Sequence, residues 1–170
     1  MMMSVSSVFA KKLRTCENHK FKKNFSCADS FVSGVDYKMN DTNVIPMIGG
    51  AVIDGNRVLV AKCGPDRQLP RHWELPYSEK RPGETHEETL IRVFDEKFGT
   101  TIRVGRHLGK LFIGRIHLHV YVCVVVPRTW PVAFEHEELR WLMAHEFYGL
   151  DWIPAFLEFL PAVRAVLREL

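Results

Sequence analysis

The stretch WELPYSEKRPGETHEETLIRVFDEKFG, Trp73 to Gly99, decides how this chain folds. Its second half reads as a helix with both ends specified. Thr85, followed three residues later by Glu88, forms a capping box, and the acids between Glu84 and Glu88 stand at the positive end of the helix dipole. Leu90, Ile91, Phe94 and Phe98 recur at helical spacing, and Gly99 supplies the residue that ends a helix in the left-handed conformation. Ahead of the helix, Trp73 to Pro76 reads as a short extended piece, followed by a loop that ends at Pro82-Gly83.

Working outward, Val44 to Ile53 alternates loosely and meets Asp54-Gly55-Asn56, a hairpin turn signal, before a second strand from Arg57 to Ala61. Residues 62–72 are polar, with Gly64-Pro65 marking a loop. After the helix, Ile102 to Ile113 and Ile116 to Val126 form a pair of strands around Gly114-Arg115, and Glu138 to Leu142 suits one more. Pro154 to Leu170 places Leu157, Leu160, Val163, Val166 and Leu167 on one helical face. The order ββ–β–α–ββ–β–α predicts an α/β sandwich around a mixed sheet, with no internal repeat and no second domain.

Composition narrows the function classes. The net charge of +3 belongs to residues 1–44, where seven Lys/Arg face four acids; the rest of the chain carries equal numbers of each. The basic balance therefore implies no nucleic-acid surface on the fold. Residues 1–44 are rich in Ser, Lys and Asn without a sustained period, which reads as a disordered tail or an organelle-targeting segment, with residues 45–170 as the domain. No apolar run approaches the ~20 residues of a membrane span. Cys16, Cys27, Cys63 and Cys123 form no CxxC pair, which points to a reducing intracellular compartment, most simply the cytoplasm. Cys63 and Cys123 sit in apolar strand-like contexts, where cysteine packs as a small hydrophobe and not as a nucleophile.

The series Trp73-Glu74-Leu75-Pro76, Pro82-Gly83-Glu84-Thr85, Arg92, Glu96 and Gly99 resembles the Nudix hydrolase signature. Its flanks resemble the MutT-like branch that includes CTP pyrophosphohydrolases: Gly49-Gly50-Ala51-Val52-Ile53, Glu135 to Trp141, and Ile153-Pro154-Ala155. The resemblance covers about residues 45–168. It implies the Nudix fold, an α/β/α sandwich around a mixed sheet, and hydrolysis of nucleoside diphosphate derivatives with Mg²⁺ or Mn²⁺. In such enzymes three carboxylates on one face of the box helix hold metal against the pyrophosphate.

In this chain those three positions are Val93, Glu96 and Lys97, so one carboxylate of three remains. Lys97 places a cation where the family places a ligand, and roughly several kcal/mol then opposes a divalent ion at an effective dielectric near 20. Tyr77-Ser78 stands where Gly-Gly is usual. Glu84 and Arg92 match the pair that ties loop to helix in the family, and Arg92 lies four residues before Glu96, which makes Glu96 either an ion-pair partner or a metal ligand. Phe156 stands where relatives carry an acid that reads the base edge; it suits stacking on a base or core packing. Glu135, His136 and Glu137 fall where some relatives supply another metal ligand or base, against the plainer reading of a solvated charged loop. His117 and His119 share one strand face without a third ligand at fitting spacing.

Two functions follow as expectations. One is an impaired or inactive relative that retains nucleotide or protein-partner binding. The other is an active hydrolase with catalytic Glu96, Glu84 and Arg92, metal on Glu96 and Glu135, and substrate contacts from Phe156, Tyr77 and Ser78.

Overall fold

The computed structural model describes residues 44–169, so the expected tail lies outside the described residues except for Val44. Seven strands form one sheet: β1 (Ile45–Asp54), β2 (Arg57–Lys62), β3 (Trp73–Glu74), β4 (Tyr77–Glu79), β5 (Ile102–Ile113), β6 (Ile116–Val125) and β7 (Glu138–Met143). Among the described residues the helices are α1 (His86–Phe98), α2 (Pro154–Leu157) and α3 (Leu160–Glu169), with a 3₁₀ turn at Ala144–Gly149.

The spine of the sheet is the parallel pairing of β1 with β6, in continuous register from Ile45↔Ile116 to Ile53↔Val124. β5 closes antiparallel on β6 with register irregularities between Val104 and Gly109. β1 meets β2 only beside the Gly55-Asn56 turn, through Ile53↔Val58 and Asp54↔Arg57. Its N-terminal half pairs instead with β4, Met47↔Glu79 to Gly49↔Tyr77. β2 carries β7 along its whole length and β3 at Ala61 and Lys62. The mixed sheet with flanking helices is the one the sequence predicts.

Strand alternation sorts the core into two layers. Met47, Ala51, Ile53, Val58 and Val60 join a cluster with Trp73, Phe156, Phe159, Val163 and Leu167 from the C-terminal helices. Ile48, Val52, Leu59 and Ala61 join Leu90, Val93, Phe94 and Phe98 of α1 on the other side. Gly50 lets α1 sit close to β1, since a Cβ there would meet Phe94 Cε2 at 3.0 Å.

Three local readings differ from expectation. Tyr77 to Glu79 is strand and not loop, because β1 supplies it with a ladder that local sequence does not announce. The C-terminal helix is broken at Glu158–Phe159; Pro161 has no N–H for a continuing helix and its ring would crowd the carbonyl of Leu157. The 3₁₀ turn between β7 and α2 has no sequence signal of comparable strength, and Trp152 Nε1 donates to its Phe147 carbonyl at 2.7 Å.

Candidate functional site

Helix α1 begins and ends as its sequence dictates. The Glu88 amide donates to Thr85 Oγ1 and the Thr85 amide to Glu88 Oε2, at 3.1 and 2.7 Å. Gly99 ends it at φ 57°, with the Gly99 and Thr100 amides donating to the carbonyls of Asp95 and Phe94. The last turn has a further partner: the amides of Val132 and Phe134 donate to the carbonyls of Phe98 and Lys97. A segment more than thirty residues downstream is thereby laid across the end of α1.

The predicted site residues fall into two groups. The first centres on Arg92. Its Nε and Nη2 donate to the two oxygens of Glu84 at 2.6 and 2.9 Å, its Nη1 to Glu96 Oε2 at 3.2 Å, and Nη2 also to the Glu79 carbonyl at 3.2 Å. One guanidinium thus ties together the end of β4, the loop before α1 and the helix itself. Glu84 also accepts from the Arg81 amide and Thr89 Oγ1. Its carboxyl is held at about 2, against an ordinary 4.5, chiefly by the fork from Arg92. Glu96 pairs with Arg81 as well, at 3.2 Å, and with Arg92 and Asp95 it lines a shallow depression on the outer side of α1.

The second group lies at the C-terminal end of α1. Lys97, with its side chain 15% exposed, points to Glu135, Nζ to Oε2 3.7 Å. The same oxygen lies 3.6 Å from Arg67 Nη2. Arg67 is carried by the loop after β2, which is closed by hydrogen bonds from the Cys63 amide to the His72 carbonyl and from the Arg71 amide to the Cys63 carbonyl. This loop and residues 134–137 line an open hollow of about 280 Å³. Beneath it, His136 Nε2 lies 3.0 Å from Glu74 Oε1, and Cys63 Sγ donates to Glu74 Oε2 at 3.2 Å. The His136 ring stacks on Phe98 at 5.2 Å. Burial and the neighbouring Glu74 push the Cys63 thiol far up, and burial pushes that of Cys123 to about 12, so neither is a thiolate nucleophile.

The remaining residues are placed as follows. Val93 is completely buried in the core under α1. Phe156 and Tyr77 are also buried and pack edge to face at 5.1 Å, while Ser78 keeps partial exposure on β4. His117 packs at a tilt against Phe112, whereas His119 meets His107 at 3.2 Å and sits 4.9 Å from the His86 ring, whose Nδ1 lies 2.8 Å from Tyr121 Oη. Arg67 and the Glu74–His136 contact escape sequence reasoning, because Arg67 stands in an unpatterned loop and its partner follows nearly seventy residues later. The adjacency of Arg67 to Gly64-Pro65, which marks a turn, is the one local signal there.

Among the described residues, no three His, Cys, Asp or Glu side chains come together where a metal ion could be held. Glu96 and Glu135 line different depressions, and the charge opposite Glu135 is already that of two cations. This donor set does not fit the divalent metal that the sequence resemblance implies.

No family model matches the chain. A Mycobacterium tuberculosis (strain H37Rv) protein named "Putative 8-oxo-dGTP diphosphatase 2" is 32% identical over 114 residues, 64% of this chain and 80% of that protein. A Nudix hydrolase from Nitrosomonas europaea matches the structure with a TM-score of 0.63 at 16% identity, over 79% of this chain and 76% of its own. The MutT protein from Methanosarcina mazei Go1 matches with a TM-score of 0.58 at 20% identity, over 74% and 94%. Among the described residues no helix is long and apolar enough to cross a membrane.

Proposed function

The chain belongs to the MutT-like branch of the Nudix hydrolase superfamily, and from that premise we propose that it is a catalytically impaired member whose remaining task is to bind a nucleotide or a partner. The observation that carries this reading is the pairing of Lys97 with Glu135. An ammonium stands at a position where the family carries a metal-ligand carboxylate, and it pairs with Glu135, the acid expected above as a further ligand. Val93, at a second ligand position, is wholly inside the core and offers no oxygen to a metal.

In this reading Glu84, Arg92 and Glu96 act as scaffold. The bidentate Arg92–Glu84 pair fixes the loop that leads into α1, and Glu96 shares the same guanidinium. A second reading, an active Mg²⁺- or Mn²⁺-dependent hydrolase of nucleoside di- or triphosphate derivatives using Glu96, Glu84 and Glu135, is favoured by the name of the mycobacterial relative. It requires Glu135 to leave two cations and Glu96 to leave two arginines.

The test is turnover of canonical and 8-oxo nucleoside triphosphates with Mg²⁺ or Mn²⁺. The expected result is no hydrolysis above the buffer rate, unchanged by Glu96→Gln. Hydrolysis at rates ordinary for an enzyme, about 1 s⁻¹ or more, abolished by Glu96→Gln, overturns the proposal. The reversion Lys97→Glu, alone and with Val93→Glu, is made alongside with its fold checked by melting, because Val93→Glu places a carboxylate in the core.

A further inference from the structure

We propose that the β5–β6 hairpin is a docking surface for single-stranded nucleic acid, with phosphates met by Arg103, Arg106, Lys110 and Arg115 and a base stacked on Phe112. The surface lies on other elements than Glu96 and Glu135, so it holds whether or not the chain hydrolyses nucleotides.

The even charge of the domain hides a segregation along the chain. Residues 97–134 contain six Lys/Arg and no Asp or Glu, and the hairpin falls wholly inside that run. Four of the six stand on it or at its turn, together with His107, His117 and His119. Net charge averages over this segregation, which is why the balance of the whole domain points to no such surface. β5 is the end strand of the sheet, and Arg103, Arg106, His107 and Lys110 are exposed along it. Arg106 pairs with Glu169 of α3, but both side chains are more than half exposed. Such a pair contributes little and yields to a stronger anion.

The aromatic part belongs to the same hairpin. Cross-strand register sets Lys110 opposite His119 and Phe112 opposite His117. The Phe112 ring is 54% exposed, with Lys110 Nζ 5.3 Å from its centroid and the His117 ring tilted against it at 4.4 Å. A ring left open to solvent beside cations is a platform on which a base stacks while its phosphates are neutralised. The titratable groups gathered here include no carboxylate: Lys80 after β4, His86 from α1, His107 and Lys110 from β5, and His117, His119 and Tyr121 from β6. Of the acids at the start of α1, Glu84 is held by Arg92 and Glu88 by the Thr85 amide. Burial first, then His86, His107, Lys110 and His117, hold the His119 pKa below its ordinary 6.5. A polyanion lying there offsets that repulsion, so binding takes up protons and strengthens as pH falls. The same charge argues against a second copy of this chain on the β5 edge, since the copy brings its own cations.

Fluorescence anisotropy of labelled oligo(U) and oligo(dT), each of about twelve nucleotides, titrated with the full chain tests the surface. Binding is expected to weaken with salt, and Arg103→Gln with Lys110→Gln to lower affinity by about tenfold and flatten the log–log salt slope by about 1.4. Phe112→Ala is expected to weaken binding by about tenfold, and Phe112→Tyr to retain it. Affinity should rise severalfold from pH about 8 to about 6. Heparin, a polyanion without bases, is the control, and Phe112→Ala should leave its binding unchanged. The substituted side chains are exposed, and melting checks that each variant folds. Binding that ignores the hairpin substitutions belongs elsewhere on the chain, residues 1–44 included, and overturns the inference. So do absence of binding, equal loss of heparin and oligonucleotide in Phe112→Ala, and preference for phosphatidylserine vesicles over either oligonucleotide.

Discussion

At the scale of single residues, the C-terminal end of α1 concentrates the tightest requirements. Gly99 sits at φ 57°, and a Cβ there would meet Phe134 Cζ at 2.9 Å. Gly99→Ala therefore adds left-handed strain to a collision, and a loss of about 1–3 kcal/mol in urea unfolding is expected. The left-handed stop is legible in the sequence, because glycine after an amphipathic run has few other meanings. The collision with Phe134 is not, since it depends on a segment that returns from thirty-five positions away. The same limit applies to the site. Periodicity puts Val93, Glu96 and Lys97 on one side of a helix, but only packing across the sheet decides that Val93 enters the core while Glu96 meets two arginines. Glu84 with Arg92 is the counter-example: their eight-residue separation spans one cap and two turns, so the sequence resemblance brings them together correctly.

At the scale of elements, α1 is the best-determined piece because its signals are local and agree with one another. The capping box closes both ways, and Thr85→Ala removes the acceptor of the Glu88 amide while keeping the backbone amide at 85 that donates to the Glu88 carboxylate. A loss of about 1 kcal/mol is expected in chemical denaturation, with Thr85→Ser restoring most of it. β4 shows the reverse. Tyr-Ser-Glu next to a proline carries no period of its own, and it becomes strand because β1 parts from β2 after two residue pairs and leaves its backbone groups open. The break between α2 and α3 lies between these cases. Pro161 announces a stop, yet the apolar residues on either side keep helical spacing through it, and the spacing masks the interruption.

At the scale of the whole molecule, titration couples stability to pH in two separate ranges. Burial, helped by Lys80 and His107, depresses the His86 pKa, and burial with His86 and His107 depresses that of His119 below its ordinary 6.5. The unfolded chain then binds protons before the folded one, so stability present above pH about 6.5 is lost as pH falls toward the folded values. Glu84 acts lower down: its folded value of about 2 lies under the ordinary 4.5, so its contribution is present above pH 4.5 and lost on descent to 2. Denaturation midpoints measured across this range should fall in two stages. The pair His86→Gln and His119→Gln should flatten the first stage, and Arg92→Gln should shrink the second. The parallel register of β1 on β6 has a consequence in time. The strands that hold the sheet together begin about seventy positions apart, at Ile45 and Ile116, and loop-closure entropy must be overcome before their contacts reward it. On a ribosome, the β1–β2 turn and α1 therefore emerge well before the strand that unites them. The apolar face of α1 lacks its full covering through that interval, which makes this the stage at which the nascent chain is most prone to aggregate.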